Sequence, residues 1–129
     1  MCALVISNSP HQRRLISNLL SRTGYLVREA ADEIEGLARY RILSPHIVVI
    51  DASLPGMGGI ELCRTIRANE AGSNPFVLLL MGREQESLLF EAVKAGMDDY
   101  VTLPFQPWAL LSRITAGERI LGLQTMEPA

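Results

Sequence analysis

Short apolar runs of strand length alternate along this chain with stretches whose apolar residues recur at helical spacing. Such alternation is the pattern of βαβ units wound about a parallel sheet. Five units can be counted. The first strand spans Ala3 to Ile6, and Ser9-Pro10-His11-Gln12 then reads as a capped helix start with proline at the first helical position. Leu15, Ile16, Leu19 and Leu20 form one apolar stripe, which Gly24 ends. A more polar strand from Leu26 to Ala30 reads as an edge. Asp32 caps the next helix with Glu35 three residues on. Ile34, Leu37, Ala38 and Ile42 are its expected buried face, and Ser44-Pro45 stops it.

Ile47 to Ile50 is continuously apolar and β-branched, so a central strand covered on both faces is expected, with Asp51 at its carboxyl end. The loop Leu54-Pro55-Gly56-Met57-Gly58-Gly59 leads into a helix with Ile60, Cys63 and Ile66 inward, and Phe76 to Met81 makes a fourth strand. Leu88, Leu89, Ala92 and Val93 mark a fourth helix that Gly96 caps; Tyr100 to Leu103 is a fifth strand. Pro107 opens a last helix carrying Leu110, Ile114, Gly117 and Leu121, a spacing that carries it on to Gln124. Open parallel sheets gather functional groups at the carboxyl ends of their strands. Here those ends are Ser7-Asn8, Asp51, Met81-Gly82 and Leu103-Pro104.

Composition narrows the function classes. A chain of 129 residues, 48% hydrophobic and 20% charged, fits one compact domain. A formal net charge of -2 lacks the basic face that neutralises nucleic-acid phosphates. The apolar run over 75–81 is too short to span a bilayer, and the brief apolar start has no basic leader, so neither a membrane span nor a secretory signal is expected. Cys2 and Cys63 read as reduced thiols of a cytoplasmic domain, and no Cys/His cluster stands at zinc-ligand spacing.

Four motifs in order give the chain a resemblance. They are Pro45-His46-Ile47-Val48-Val49-Ile50-Asp51; Leu54-Pro55-Gly56-Met57 with Gly59 and Glu61; Ala95-Gly96-Met97-Asp98-Asp99-Tyr100; and Pro104-Phe105. Together they resemble the receiver domain of bacterial two-component response regulators, over residues 3 to 121. The resemblance implies a flavodoxin-like α/β fold, a doubly wound five-stranded parallel sheet of order 2-1-3-4-5 with five flanking helices. It also implies a signalling module rather than a conventional enzyme, one whose chemistry moves a phosphoryl group from a phosphohistidine partner to its own aspartate at Asp51.

In that family an acidic pair holds Mg²⁺, a Thr or Ser bonds the phosphoryl, and a Lys pairs with it. Here the acidic pair aligns with Ser7 and Asn8, the hydroxyl position with Met81 and the lysine position with Leu103. Mg²⁺ relies on carboxylates, so its binding should be weak, with Asn8, Asp51 and Ser53 as the remaining metal candidates. Losing the lysine removes a charge-assisted bond worth about 1.5 to 3 kcal/mol. Met81 donates no hydrogen bond. Tyr100 occupies the family's switch-aromatic position, and Leu103-Pro104 its cis-proline bond.

Each of these residues also has a structural reading. Asp51 is either a phosphoacceptor or a relic accepting hydrogen bonds from loop amides, and the three lost partners favour the relic. Asn8 reads as a turn residue, Arg83 as a solvated loop arginine rather than a substitute cation, and His11 and His46 as surface residues. Tyr100 and Trp108 read as packing residues. A haloacid-dehalogenase phosphatase would need a second acid where Ser53 stands. The favoured function is therefore a pseudo-receiver working through the face of its fourth helix, fifth strand and fifth helix; the alternative is a receiver phosphorylated on Asp51 by a histidine kinase. Residues 1–123 are taken as the domain and 124–129 as a tail or linker. The expected partners are a histidine kinase or other signalling protein, a linked output domain and a second copy through that face bordered by Phe90, Lys94, Phe105 and Trp108. No resident cofactor, nucleic acid or membrane is expected.

Overall fold

A computed structural model describes residues 1–69 and 74–122. The elements are β1 (Cys2–Ile6), α1 (Pro10–Arg22), β2 (Leu26–Ala30), α2 (Glu33–Leu43), β3 (Ile47–Asp51), α3 (Gly58–Ala68), β4 (Phe76–Met81), a 3₁₀ turn (Arg83–Leu88), α4 (Leu89–Lys94), β5 (Asp99–Thr102) and α5 (Pro107–Leu121). All four strand pairings are parallel, and the five-stranded sheet has the order β2-β1-β3-β4-β5. Fold class and strand order are those the sequence implies. β1, β3 and β5 each sit within one residue of their expected bounds, and β2 is the polar edge.

Pleating divides the central strands between two cores. Leu4, Ile6, Val48, Ile50, Val77 and Leu79 join Tyr40, Leu62, Cys63 and Ile66 on the α2–α3–α4 side. Ala3, Val5, Ile47, Val49, Phe76, Leu78 and Leu80 join Ile16, Leu20, Leu110 and Ile114 on the α1–α5 side. Burial on both faces explains why these strands read as unbroken apolar runs rather than alternating ones. Each fully buried Leu or Ile contributes about 1.5–3 kcal/mol, so the sheet is the main source of stability.

Several helix faces differ from expectation. In α2 the buried residues are Gly36 and Tyr40, whereas Ile34 is 76% and Ile42 82% exposed and Ala38 is exposed. Tyr40 buries more apolar area than an isoleucine, and Gly36 lets α2 come close to β1: a Cβ there would meet Ile6 Cδ1 at 2.8 Å. The helix turns to seat that pair, with Leu37 only partly buried. In α1 the inward arc centres on Ile16 and Leu20, which leaves Leu15 exposed. Residues 83–88 coil as 3₁₀, so α4 starts at Leu89; it buries Ala92 while Leu88 and Val93 face solvent.

Trp108, expected to pack inside, is 67% exposed. Leu110, Ile114 and Gly117 form the buried side of α5, and Trp108 lies about 200° around the helix from Leu110. The helix ends at Leu121, where Gly122 takes the left-handed φ of 77° and its N–H bonds Arg119 O and Glu118 O. An uninterrupted helix to Gln124 is therefore not formed; Gln124 itself and the boundary between 123 and 124 lie outside the described residues.

Candidate functional site

Parallel register brings the expected site residues to one end of the sheet. Ile6 pairs with Ile50 and Asp51 with Leu80, so Ser7, Asp51 and Met81 follow one another across β1, β3 and β4. Ser7 is fully buried, Asp51 is 4% and Met81 1% exposed. Asn8 is exposed in the turn after β1, and its side chain makes no hydrogen bond among the described residues.

Burying a carboxylate without partners costs several kcal/mol, so its donors decide what the site is. Gln12, in the first turn of α1, donates from Nε2 to Asp51 Oδ2 at 3.0 Å and to Ser7 Oγ at 3.0 Å. Ser53 donates twice to Asp51 Oδ1, from its backbone N–H at 2.9 Å and from its hydroxyl at 2.7 Å. Ser7 Oγ further accepts the Ser9 N–H at 3.2 Å. Behind this, Arg13 donates to Ser7 O at 2.7 Å and pairs with Glu29 at 3.0 Å, tying α1 to β2.

Close packing fixes the carboxylate from the other side. Ala52 N–H donates to Leu80 O, and Gly59, in the first turn of α3, sits so near the backbone of Asp51 and Ala52 that a Cβ there would lie 2.6 Å from Ala52 Cα. Glycine is required by that approach.

An open cleft of about 570 Å³ adjoins the site, lined by Gln12, Gly82, Arg83, Glu84, Leu103 and Pro104. Leu103 brings an apolar wall to it, anchored by its N–H on Met81 O at 2.9 Å, and the Leu103-Pro104 bond is cis. Arg83 is exposed with Glu84 beside it. Tyr100 is half-buried against the α2–α3–α4 core. His11 is exposed; His46 is exposed too, though its Nδ1 accepts the Cys2 N–H at 3.1 Å. Cys2 and Cys63 are free thiols.

Asp51 is the one carboxylate of the constellation, and both its oxygens accept bonds from the chain's own donors. Among the described residues, no three His, Cys, Asp or Glu side chains stand where they would hold a metal ion together. Sequence reasoning treated Ser53 as a weak metal candidate and passed over Gln12; the buried carboxylate's need for donors, with polar first-turn residues of α1 above the strand ends, is the signal that points to both.

A protein-family model for the response regulator receiver domain matches residues 3–115. The chain belongs to that family. This receiver is 31% identical to the chemotaxis protein CheY of Thermotoga maritima over 105 residues, 81% of this chain and 86% of the relative. It is 31% identical to the transcriptional regulatory protein ResD of Bacillus subtilis over 113 residues, 88% of this chain but 46% of ResD. It is 33% identical to hybrid signal transduction histidine kinase D of Dictyostelium discoideum over 126 residues, 8% of that protein. The receiver thus spans most of CheY, under half of ResD and a small part of the kinase. Among solved structures, a putative response regulator from Chloroflexus aurantiacus superposes with a TM-score of 0.83 at 27% identity, over 90% of this chain and 95% of that one. Membership makes the chain a module of two-component signalling. No helix among the described residues is long and apolar enough to cross a membrane.

Proposed function

We propose that this receiver is of the degenerate type, signalling in the cytoplasm through protein contacts with Mg²⁺-dependent phosphorylation of Asp51 impaired. One observation carries the reading: Gln12 and Ser53 already donate to both carboxylate oxygens, once to Oδ2 and twice to Oδ1, so the aspartate is stabilised by neutral donors instead of a cation. Met81 and Leu103, standing at the Thr and Lys positions, leave an added phosphoryl without its hydroxyl donor or its counter-charge. Exposed apolar side chains support a contact face on α4 and α5: Phe90 is 71%, Val93 58% and Trp108 67% exposed, with Lys94 Nζ 4.9 Å from the Phe90 ring centre. The partners that suit such a face are a histidine kinase or other signalling protein, an output domain in a longer chain, and a second copy. Relatives in which the matched region is a minor part of the whole support the linked output domain.

A second reading, a receiver phosphorylated on Asp51, draws on Arg83, which lines the same cleft as Gln12 and would bring a cation near the phosphoryl. Amide NMR with Mg²⁺ and beryllofluoride separates the two. The expected result is a spectrum nearly unchanged around Asp51, Met81 and Tyr100, with binding recovered when Asn8→Asp, Met81→Thr and Leu103→Lys are made together. Saturable shifts in the unmodified protein, abolished by Asp51→Asn, would instead establish the second reading.

A further inference from the structure

We infer that a second copy of this chain docks on the outer face of α2, the two helices antiparallel across a two-fold axis level with Ala38. Ile34 and Ile42 are the two most exposed large apolar side chains among the described residues, and Ala38 between them is exposed as well. At about 100° per residue, the isoleucines lie about 40° to either side of Ala38, one turn before it and one turn after. Gly36 and Tyr40, which seat α2 on the sheet, lie on the opposite side of the helix, about 160° from Ala38. The apolar stripe therefore points straight away from its own domain, and no rotation of α2 that keeps Tyr40 buried would cover it. Contiguous apolar side chains held in water this way mark a contact surface.

The stripe is its own complement, because it reads the same in both directions from Ala38. Antiparallel pairing about that residue brings Ile34 of each copy level with Ile42 of the other, and the small alanines let the backbones approach at the centre. The charges beside the stripe suit the same pairing. Glu35 and Arg39 lie on one flank, both side chains nearly half exposed, and within one copy they touch only at 3.6 Å. Across the two-fold axis that flank faces its counterpart, and Arg39 of each copy comes about 3 Å along the helix from the level of the other's Glu35. Opposite charges thus meet twice. With Glu33 and Arg41, α2 carries two charges of each sign, so it suits a copy of itself better than a partner of one strong sign. Such a self-complementary patch closes into a dimer. A single helix of 11 residues buries less than about 1,200 Å², so the dimer is weak and concentration-dependent. Because α2 packs on β1 and β2 while α5 packs on β4 and β5, pairing through α2 leaves the α4 and α5 face free for other partners, and it is independent of the state of Asp51.

Sedimentation velocity over a wide concentration range, with cross-linking at the axis, tests the pairing. The expected result is a reversible monomer–dimer equilibrium, weakened about tenfold or more by Ile34→Gln combined with Ile42→Gln and unchanged by Phe90→Ala combined with Trp108→Ala. Tm should stay the same in the first pair, since both isoleucines already stand in water. In a Cys2→Ser background, where the remaining Cys63 is buried, Ala38→Cys should give a disulfide-linked dimer on mild oxidation and Trp108→Cys should not. A protein that stays monomeric at the highest concentration overturns the inference. A dimer lost in the Phe90 and Trp108 variant but kept in the Ile34 and Ile42 variant places the contact on α4 and α5 and overturns it too. Association that continues past the dimer, or an Ala38→Cys protein that does not cross-link, overturns the two-fold pairing at Ala38.

Discussion

Replacing Gln12 by leucine keeps the side chain's bulk but removes both bonds of its amide. One of these, to Asp51 Oδ2 at 3.0 Å, reaches a carboxylate that is 4% exposed; the other, to Ser7 Oγ at 3.0 Å, is between neutral groups. Bonds to charged groups contribute about 1.5–3 kcal/mol and neutral ones about 0.5–1.5 kcal/mol. The cleft beside Gln12 is open, so water replaces part of what is lost, and the net cost is expected at about 1.5–2.5 kcal/mol. For a domain of this size that lowers Tm by roughly 4–10 °C. Urea denaturation of the wild type and Gln12→Leu, followed by circular dichroism, reads the change as a lower midpoint at constant slope. Since Ser53 serves the other oxygen of the same carboxylate, Gln12→Leu and Ser53→Ala should be non-additive in a double-mutant cycle. A Gln12→Leu protein as stable as the wild type, or additive with Ser53→Ala, would refute the view that Gln12 replaces the missing cation.

Two further outcomes follow from groups outside this site. Tyr25 is 5% exposed and donates to Glu118 Oε2 at 2.6 Å; burial first, then this hydrogen bond and the charge of Glu118, push its phenol well above the ordinary value of 10.0. The folded state therefore holds the proton more tightly than the unfolded one, so the stabilisation is complete below that value and fades as pH rises above it. Tyr25→Phe should cost about 1–2 kcal/mol near neutral pH, with the gap from wild type closing in alkaline denaturation series. The Cys63 thiol is pushed up to about 11 by burial, with Asp98 adding to the rise and Arg67 and Arg64 opposing it. A disulfide thiol reagent near pH 8 should label the half-buried Cys2 and leave Cys63 unreacted until denaturant is added.

Strands were far more legible than helix faces, for a physical reason. Ile47 to Ile50 and Phe76 to Met81 are buried on both sides, so their sequences carry the signal without reference to any partner. A helix presents one arc, and which arc goes inward depends on the shape it meets. The apolar series of α2 centred on Ile34, Ala38 and Ile42 competes with Gly36 and Tyr40, one glycine and one large ring at helical spacing. The second pair wins because a close approach to Ile6 seats the ring fully. Trp108 follows the same logic: Leu110, Ile114 and Gly117 commit α5 to one side, and Gly117 lies against the Phe76 ring, which leaves the tryptophan no route inward.

The site divides along another line. Position along the chain sufficed to bring Ser7, Asp51, Met81 and Leu103 to one end of the sheet, since strand ends and register are set by the fold. What fills the lost charge positions was not legible that way, because Gln12 reaches Asp51 across 39 residues and acts through side-chain length rather than through a motif. On the proposed reading neutral donors do what a cation and lysine would otherwise do, and the site is then expected to resist stepwise reversal. Asn8→Asp alone would bring a second negative charge toward Asp51 with no lysine to offset it. Leu103→Lys alone would compete with Gln12 for a carboxylate that is already satisfied. Groups that compensate one another's charge act as one unit, so recovery of Mg²⁺ and beryllofluoride binding is expected of the combined variant and not of either single one.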